Sequence, residues 1–250
     1  MHDIGNQGTL DKVVELVQAD AKAKKFRPDY DVSEELKGEM VSEVFRDYMM
    51  FALDRYYEAC LPMVNEYVDE HQPRRKKRPS LLHNLFWFRM MYDASIDPHD
   101  NSIEAYIAEN YHELHRKPFM ISWLRECAKA VPKFYYMGPK LHDRIFLAID
   151  ILEEKPLDVI VYDPTAIPPK TGEIAMGILM PLGGGLFFPI VDFYHFDYQA
   201  REAMGSCFHH HYNKNLQDSN MHVAFIHVLS VMLQIESMVF NEKKEKPTSK

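Results

Sequence analysis

The stretch that most constrains the fold lies at 163–197, where prolines and glycines separate apolar runs. It reads DPTAIPPKTGEIAMGILMPLGGGLFFPIVDFYHFD. Apolar segments of this length between such turn residues are typical of strands in a small sheet. The glycines at 183–185 stand between two apolar runs, where a hairpin turn needs positive φ angles. No lysine followed by serine or threonine comes after them, so they predict a turn rather than a phosphate-binding loop.

Three stretches show the alternation of apolar and polar residues that is typical of strands. They lie at 144–152, 157–161 and 173–180. The rows predicted to face inward are Ile145, Leu147, Ile149 and Ile151, then Leu157, Val159 and Val161, then Ile174, Met176, Ile178 and Met180. Period-two patterns joined by local turns predict an antiparallel meander or partial barrel, with Gly177 as a bend or bulge inside one strand.

The first half of the chain shows helical periodicity instead. Residues 31–34, DVSE, have the form of a capping box in which Asp31 accepts backbone protons. Apolar residues then recur three and four positions apart, at Leu36, Met40, Val44, Phe45, Tyr48, Phe51 and Ala52. Pro62 predicts an end or a kink in that helix, because proline lacks an amide donor. Further helices are predicted at 9–25, from a capping Ser80, at 102–115 and at 120–130.

Two more helices are predicted after the strands, at 198–214 and 220–239. The fold class is therefore predicted to be α+β, with a helical N-terminal half and a small antiparallel β-meander or partial barrel that two C-terminal helices close. The predicted organisation is a helical lobe at 1–132, a sheet lobe with its two closing helices at 133–240, and a disordered charged tail at 241–250.

Composition favours a globular chain in a reducing compartment. The net charge of −8 offers no general attraction to nucleic acid. Cys60, Cys127 and Cys207 are odd in number and far apart, so neither a disulfide framework nor a structural zinc site is predicted. The N-terminus lacks a secretory signal pattern, and a cytoplasmic location is expected. The apolar stretch 222–240 contains Glu236, which favours a buried helix over a membrane span.

Five consecutive cations stand between two prolines in the segment 72–80. They are Arg74, Arg75, Lys76, Lys77 and Arg78. Like charges this close repel one another, so the pattern predicts an exposed loop. Because arginine and lysine neutralise phosphates whatever the sequence, the loop is a candidate contact for nucleic acid or for an acidic partner. A solvated connection between helices is the simpler interpretation, and it is favoured.

The histidines at 209–211 raise the question of a metal site. Adjacent helical residues point about 100° apart, so the three imidazoles do not converge on one ion. His210 and His211 extend the predicted apolar side of their helix and are expected to approach Asp192, His195 and Asp197. Imidazoles and carboxylates together suit a divalent metal. Hydrogen-bonded boundary histidines are the commoner arrangement, so no cofactor is predicted and the metal remains an alternative.

No catalytic signature emerges elsewhere in the chain. Glu109 and His112 have the spacing of a di-iron ligand pair, but no second such pair exists on another helix. Methionine-rich and aromatic faces instead suit partners. The hypothesis that follows is a non-enzymatic intracellular binding or regulatory protein, acting through protein–protein contacts or self-association. The alternatives are a metal-dependent hydrolase using the cluster near 192–211, and a nucleic-acid-binding protein using 74–78.

Overall fold

The computed structural model describes residues 17–99, 101–218 and 220–245. Helices fill its first half, strands its middle and two long helices its end. The helices are α1 Glu34–Glu39, continued by a π-helical segment Met40–Phe45, then α2 Arg46–His71, α3 Arg78–Ile96, α4 Ser102–Glu109, α5 Tyr111–Leu114, α6 Pro118–Cys127, a 3₁₀ turn Tyr198–Ala200, α7 Arg201–Asp218 and α8 Met221–Glu245. The strands are β1 Pro132–His142, β2 Ile145–Asp150, β3 Pro156–Ile160, β4 Ile174–Gly183, β5 Leu186–Pro189 and β6 Tyr194–His195.

The strands close into a five-stranded barrel, and the α+β prediction is confirmed. They are ordered β1-β2-β3-β5-β4, β1 also pairs with β4, and β6 adds to β4. Every pair is antiparallel except β3 with β5, which is parallel. A ring with an odd number of strands cannot alternate direction all the way round. The predicted purely antiparallel sheet is therefore wrong at this one pair.

The glycine hairpin between β4 and β5 is confirmed. Gly183, Gly184 and Gly185 all have positive φ, at 91°, 61° and 79°. Gly177 is different, because β1 and β4 pair without a register shift through its position. A Cβ there would lie 2.7 Å from the Phe193 ring. Of the predicted bend or bulge, the bulge is therefore absent, and the glycine admits a close aromatic neighbour.

The barrel interior is filled by side chains from four strands and from the segment before β6. Its core is Tyr135, Met137, Phe146, Ala148, Val159, Ala175, Leu179 and Phe193. On β2 the inward residues are therefore Phe146 and Ala148, and the prediction that its isoleucine row faces inward is wrong. On β4 both faces are buried, with Ala175 and Leu179 inside and the predicted row packed outside against helices. Alternation defines two faces, and barrel closure decides which face lies inside.

Helices cover the barrel from two sides. One core cluster joins the N-terminal helices to Ile178, Met180 and Leu182 of β4, and another joins α2, α3, α7 and α8 to Phe134 and Phe196. The last helix lies in that second core. Its segment Met221–Glu242 is long and apolar enough to cross a membrane by length and composition, a test that the core helix of a soluble protein also passes.

Several helix boundaries differ from the predictions. Ser33, rather than Asp31, caps α1 by accepting from the Leu36 amide at 3.3 Å. Pro62 lies inside α2, so of the predicted end or kink the end is excluded, and α3 begins at Arg78, before Ser80. No helix forms at 17–25, and the rest of that predicted helix lies outside the described residues. The final helix continues to Glu245, so the predicted tail starts too early; 246–250 lie outside the described residues.

Candidate functional site

The connection between α2 and α3, residues 72–77, is here called the basic loop. It begins where Gln72 takes a left-handed conformation, with φ of 46°, and ends α2. Arg74 donates from Nη2 to Asp197 Oδ2 at 2.8 Å, across 123 residues of sequence. Lys77 donates from Nζ to the His195 carbonyl oxygen at 2.6 Å. The loop is thereby attached to the end of β6 and to the turn that follows it.

Glu236 of α8 holds these groups together. Only 5% of the residue is exposed. Its Oε1 accepts from Lys77 Nζ and from the Asp197 amide at 2.6 Å, and its Oε2 accepts from the Tyr194 hydroxyl at 2.7 Å. Burial lowers the pKa of Lys77 and raises that of Tyr194. Arg74, Lys77, Tyr194, Asp197 and Glu236 form what we call the Glu236 cluster, in which one buried carboxylate is paired with half-buried charges and with a buried hydroxyl group.

His195 forms a second polar group at the same end of the barrel. Its Nδ1 donates to Glu173 Oε1 at 2.6 Å, and its Nε2 lies 3.8 Å from Asp192 Oδ1. Burial alone would lower the pKa of His195, but the Asp192 and Glu173 carboxylates together raise it to about 9. The ring is therefore an imidazolium at neutral pH. Because only 11% of the side chain is exposed, it is a structural cation rather than an accessible base.

The five predicted metal ligands do not form one cluster. Asp192 and His195 are neighbours, whereas Asp197 pairs with Arg74. His210 is exposed and His211 half-buried on α7, with their rings 5.4 Å apart. The buried stripe of α7 is Met204, Phe208 and Tyr212, so Tyr212 takes the inward position expected for the histidines. Within 17–99, 101–218 and 220–245, no three His, Cys, Asp or Glu side chains are grouped to hold a metal ion.

The five cations at 74–78 are also divided. Arg74 and Lys77 are half-buried in the Glu236 cluster, and Arg78 pairs with Asp69 at 2.8 Å. Arg75 and Lys76 are exposed. The predicted loop of five solvated cations is therefore wrong for Arg74 and Lys77, because the carboxylates of Asp197 and Glu236 draw them inward. Arg78 lies at the start of α3 and forms a surface ion pair.

A groove of about 710 Å³ lies between the basic loop and the C-terminal half of α8. We call it the basic groove. Its lining is His71, Gln72, Pro73, Arg74, Arg75, Lys76, Lys77, Ile167, Leu233, Glu236, Ser237, Phe240 and Asn241. The Arg74 guanidinium lies over the Phe240 ring at 4.9 Å. The groove thus combines exposed cations on one wall with apolar surface from Ile167 and Phe240, above the buried Leu233, which suits a ligand that is both acidic and apolar.

Sequence reasoning missed Glu173, Tyr194 and Glu236 as parts of this region. One signal was present for Glu236. It continues the apolar stripe formed by Phe225, Leu229 and Met232 at spacings of four, three and four, where an acid needs a buried partner. In comparisons with protein-family models, with curated proteins and with solved structures, nothing matches this chain.

Proposed function

We propose that this chain is a binding protein whose basic groove takes an acidic segment of a protein partner that also carries a large apolar side chain. The observation that carries the proposal is that two cations of the basic loop are paired within the protein and the two between them are exposed. Arg74 and Lys77 anchor the loop to Asp197 and Glu236, while Arg75 and Lys76 between them remain exposed. Anchored flanking residues hold the two exposed cations in place before binding, which lowers the entropic cost of association.

The groove favours a peptide over a nucleic acid. A polyanion that tracks a surface needs many cations, and its affinity grows with the number of phosphates neutralised. Three of the five cations at 74–78 are occupied by carboxylates of the protein itself. Apolar surface from the exposed Ile167 and the half-buried Phe240 adds a place for one aliphatic or aromatic side chain. Two free cations beside an apolar surface match a short acidic segment with one such anchor.

The polar cluster at His195 gives no support to hydrolysis. Its imidazolium is held between Glu173 and Asp192 and is largely covered, so it presents no free base to a substrate. The basic groove is therefore the better basis for a function.

The test uses a fluorescein-labelled peptide rich in glutamate and aspartate with one phenylalanine, titrated with the full chain and followed by anisotropy. Two comparison peptides carry serine for the phenylalanine, or glutamine for the acids. Single-stranded DNA of equal charge is the fourth probe. We expect the parent peptide to bind most tightly. The double variant Arg75→Glu/Lys76→Glu should weaken it at least about tenfold, since each exposed ion pair contributes up to about 1 kcal/mol and charge reversal adds repulsion.

The matched control is Lys24→Glu/Lys25→Glu, which changes the charge equally at two exposed neighbouring lysines outside the groove. Its peptide affinity should stay within about twofold of the wild type, because screening weakens charges more than about 10 Å away. The proposal fails if the two double variants behave alike, or if DNA binds at least as tightly as the parent peptide.

A further inference from the structure

A second groove lies away from the basic loop, where α2, α3 and the beginning of α8 meet. Its volume is about 220 Å³. Its wall is Met63, Val64, Tyr67, Leu85, Phe88, Arg89, Tyr92, His222, Val223 and Ile226. Apolar cavities of about 150 Å³ bind benzene-sized molecules, so this one, which we call the His222 groove, has room for one or two rings.

Two polar side chains in this wall already have partners. The Tyr67 hydroxyl donates to the Ile226 carbonyl oxygen at 3.2 Å and lies 2.9 Å from Ser230 Oγ. Arg89 forms an ion pair with Asp93 at 2.9 Å. Each of these two groups therefore already has a partner within the protein.

His222 is different. Only 6% of the residue is exposed, and its Nδ1 is buried without a hydrogen-bond partner in the described part of the chain. Its ring lies between Phe88 and Tyr92, with centroid distances of 5.8 and 5.4 Å. Burial lowers its pKa, so the imidazole is neutral near pH 7. An unpartnered buried polar atom destabilises the folded state, and a ligand that hydrogen-bonds to it would remove that penalty.

We propose that the His222 groove binds a small neutral aromatic molecule that carries a hydroxyl group, with the hydroxyl hydrogen-bonded to the His222 imidazole. A hydroxyl both donates and accepts, so it pairs with either tautomer of the ring. Nδ1 itself is buried as the ring stands, so binding requires the ring to turn; a half-turn about χ2 exchanges Nδ1 with Cδ2 and presents the nitrogen on the other edge of the ring. A charged ligand is disfavoured because the wall is mainly apolar and would strip its hydration. The inference is independent of the basic groove.

The test compares β-naphthol with β-methylnaphthalene, which replaces the hydroxyl by a methyl group of similar size. Binding to the full chain is measured by NMR titration of the Val64, Leu85, Val223 and Ile226 methyl groups. We expect the wild type to bind β-naphthol about fivefold to tenfold more tightly than the hydrocarbon. His222→Phe should abolish that preference and leave hydrocarbon affinity within about twofold. Val223→Phe narrows the groove and should weaken both probes.

A measurement on the wild-type protein, the ¹⁵N resonances of the His222 ring, tests the proposal even if a variant fails to fold. β-Naphthol should shift the ¹⁵N resonances of the His222 ring more than β-methylnaphthalene does, because a hydrogen bond to a ring nitrogen changes its shielding far more than contact with a hydrocarbon. Equal affinities for the two probes, unchanged His222 nitrogen shifts, or methyl shifts confined to another surface would each overturn the proposal.

Discussion

Two polar residues of α8, Glu236 and His222, are buried to the same extent but differ in their hydrogen bonding. Their exposed fractions are 5% and 6%. Both oxygens of Glu236 accept hydrogen bonds, from Lys77, Tyr194 and the Asp197 amide. His222 Nδ1 has no partner among the described residues. Burial is therefore a poor guide to role: the Glu236 carboxylate is satisfied at both oxygens, whereas the His222 imidazole keeps a nitrogen without a partner among the described residues.

The difference also explains why the two regions contribute unequally to stability. Removing a buried carboxylate that pairs with a lysine and a tyrosine takes the counter-charge from the lysine and the acceptor from the tyrosine hydroxyl. A buried imidazole without a partner is already costly in the folded state, so its replacement by an apolar ring removes a cost. Apolar substitutions at Glu236 and His222 should therefore change the free energy of unfolding in opposite directions.

The largest effect is expected for Glu236→Leu. Lys77 would be left half-buried without its carboxylate and the Tyr194 hydroxyl without its acceptor. We expect the free energy of unfolding to fall by about 3–5 kcal/mol, measured by urea denaturation. Glu242→Leu is the matched control, because Glu242 is exposed on the same helix. The structural interpretation of the cluster is wrong if the two variants are equally stable.

A smaller effect is expected from pH, acting on His195. Its pKa is about 9 in the folded chain against 6.5 as the ordinary value. Because the pKa is higher in the folded state, protonation of His195 stabilises the folded protein fully below about pH 6.5. This stabilisation is lost as the pH rises through about 9. At 1.36 kcal/mol for each pKa unit, this loss is about 3 kcal/mol.

Urea denaturation at several pH values across that window measures the loss. His195→Gln should be less stable at neutral pH and nearly independent of pH within the window. A wild-type profile that stays flat from pH 6.5 to 9 would contradict the assignment of a buried imidazolium.

The smallest effect is expected for His222→Phe, with the opposite sign. Replacing an unpartnered imidazole between Phe88 and Tyr92 by an apolar ring should raise the free energy of unfolding by about 1 kcal/mol. The exposed His227 serves as control, since His227→Phe should change stability by less than about 0.5 kcal/mol. Destabilisation by His222→Phe of more than about 1 kcal/mol would indicate that the imidazole is already satisfied.

Much of the fold could be predicted locally, and the candidate sites could not. Hydrophobic spacing located the long helices, and alternation located β2, β3 and β4. It failed on which face of β2 lies inside, because Ile145 and Phe146 are both apolar and only barrel closure selects between them. The basic groove was partly visible as five cations, but the sequence did not show which of them would be neutralised.

The sequence by itself determined the glycine turn of this protein and the order of its helical and strand regions. Three adjacent glycines turn the chain at 183–185 because only glycine adopts positive φ freely, and α+β periodicity follows from spacing along the chain. The tertiary structure alone decided the polar partners. Lys77 meets Glu236 across 159 residues, and Arg74 meets Asp197 across 123. Such pairs depend on how distant segments pack against the barrel, and the spacing of residues along the chain does not predict that packing.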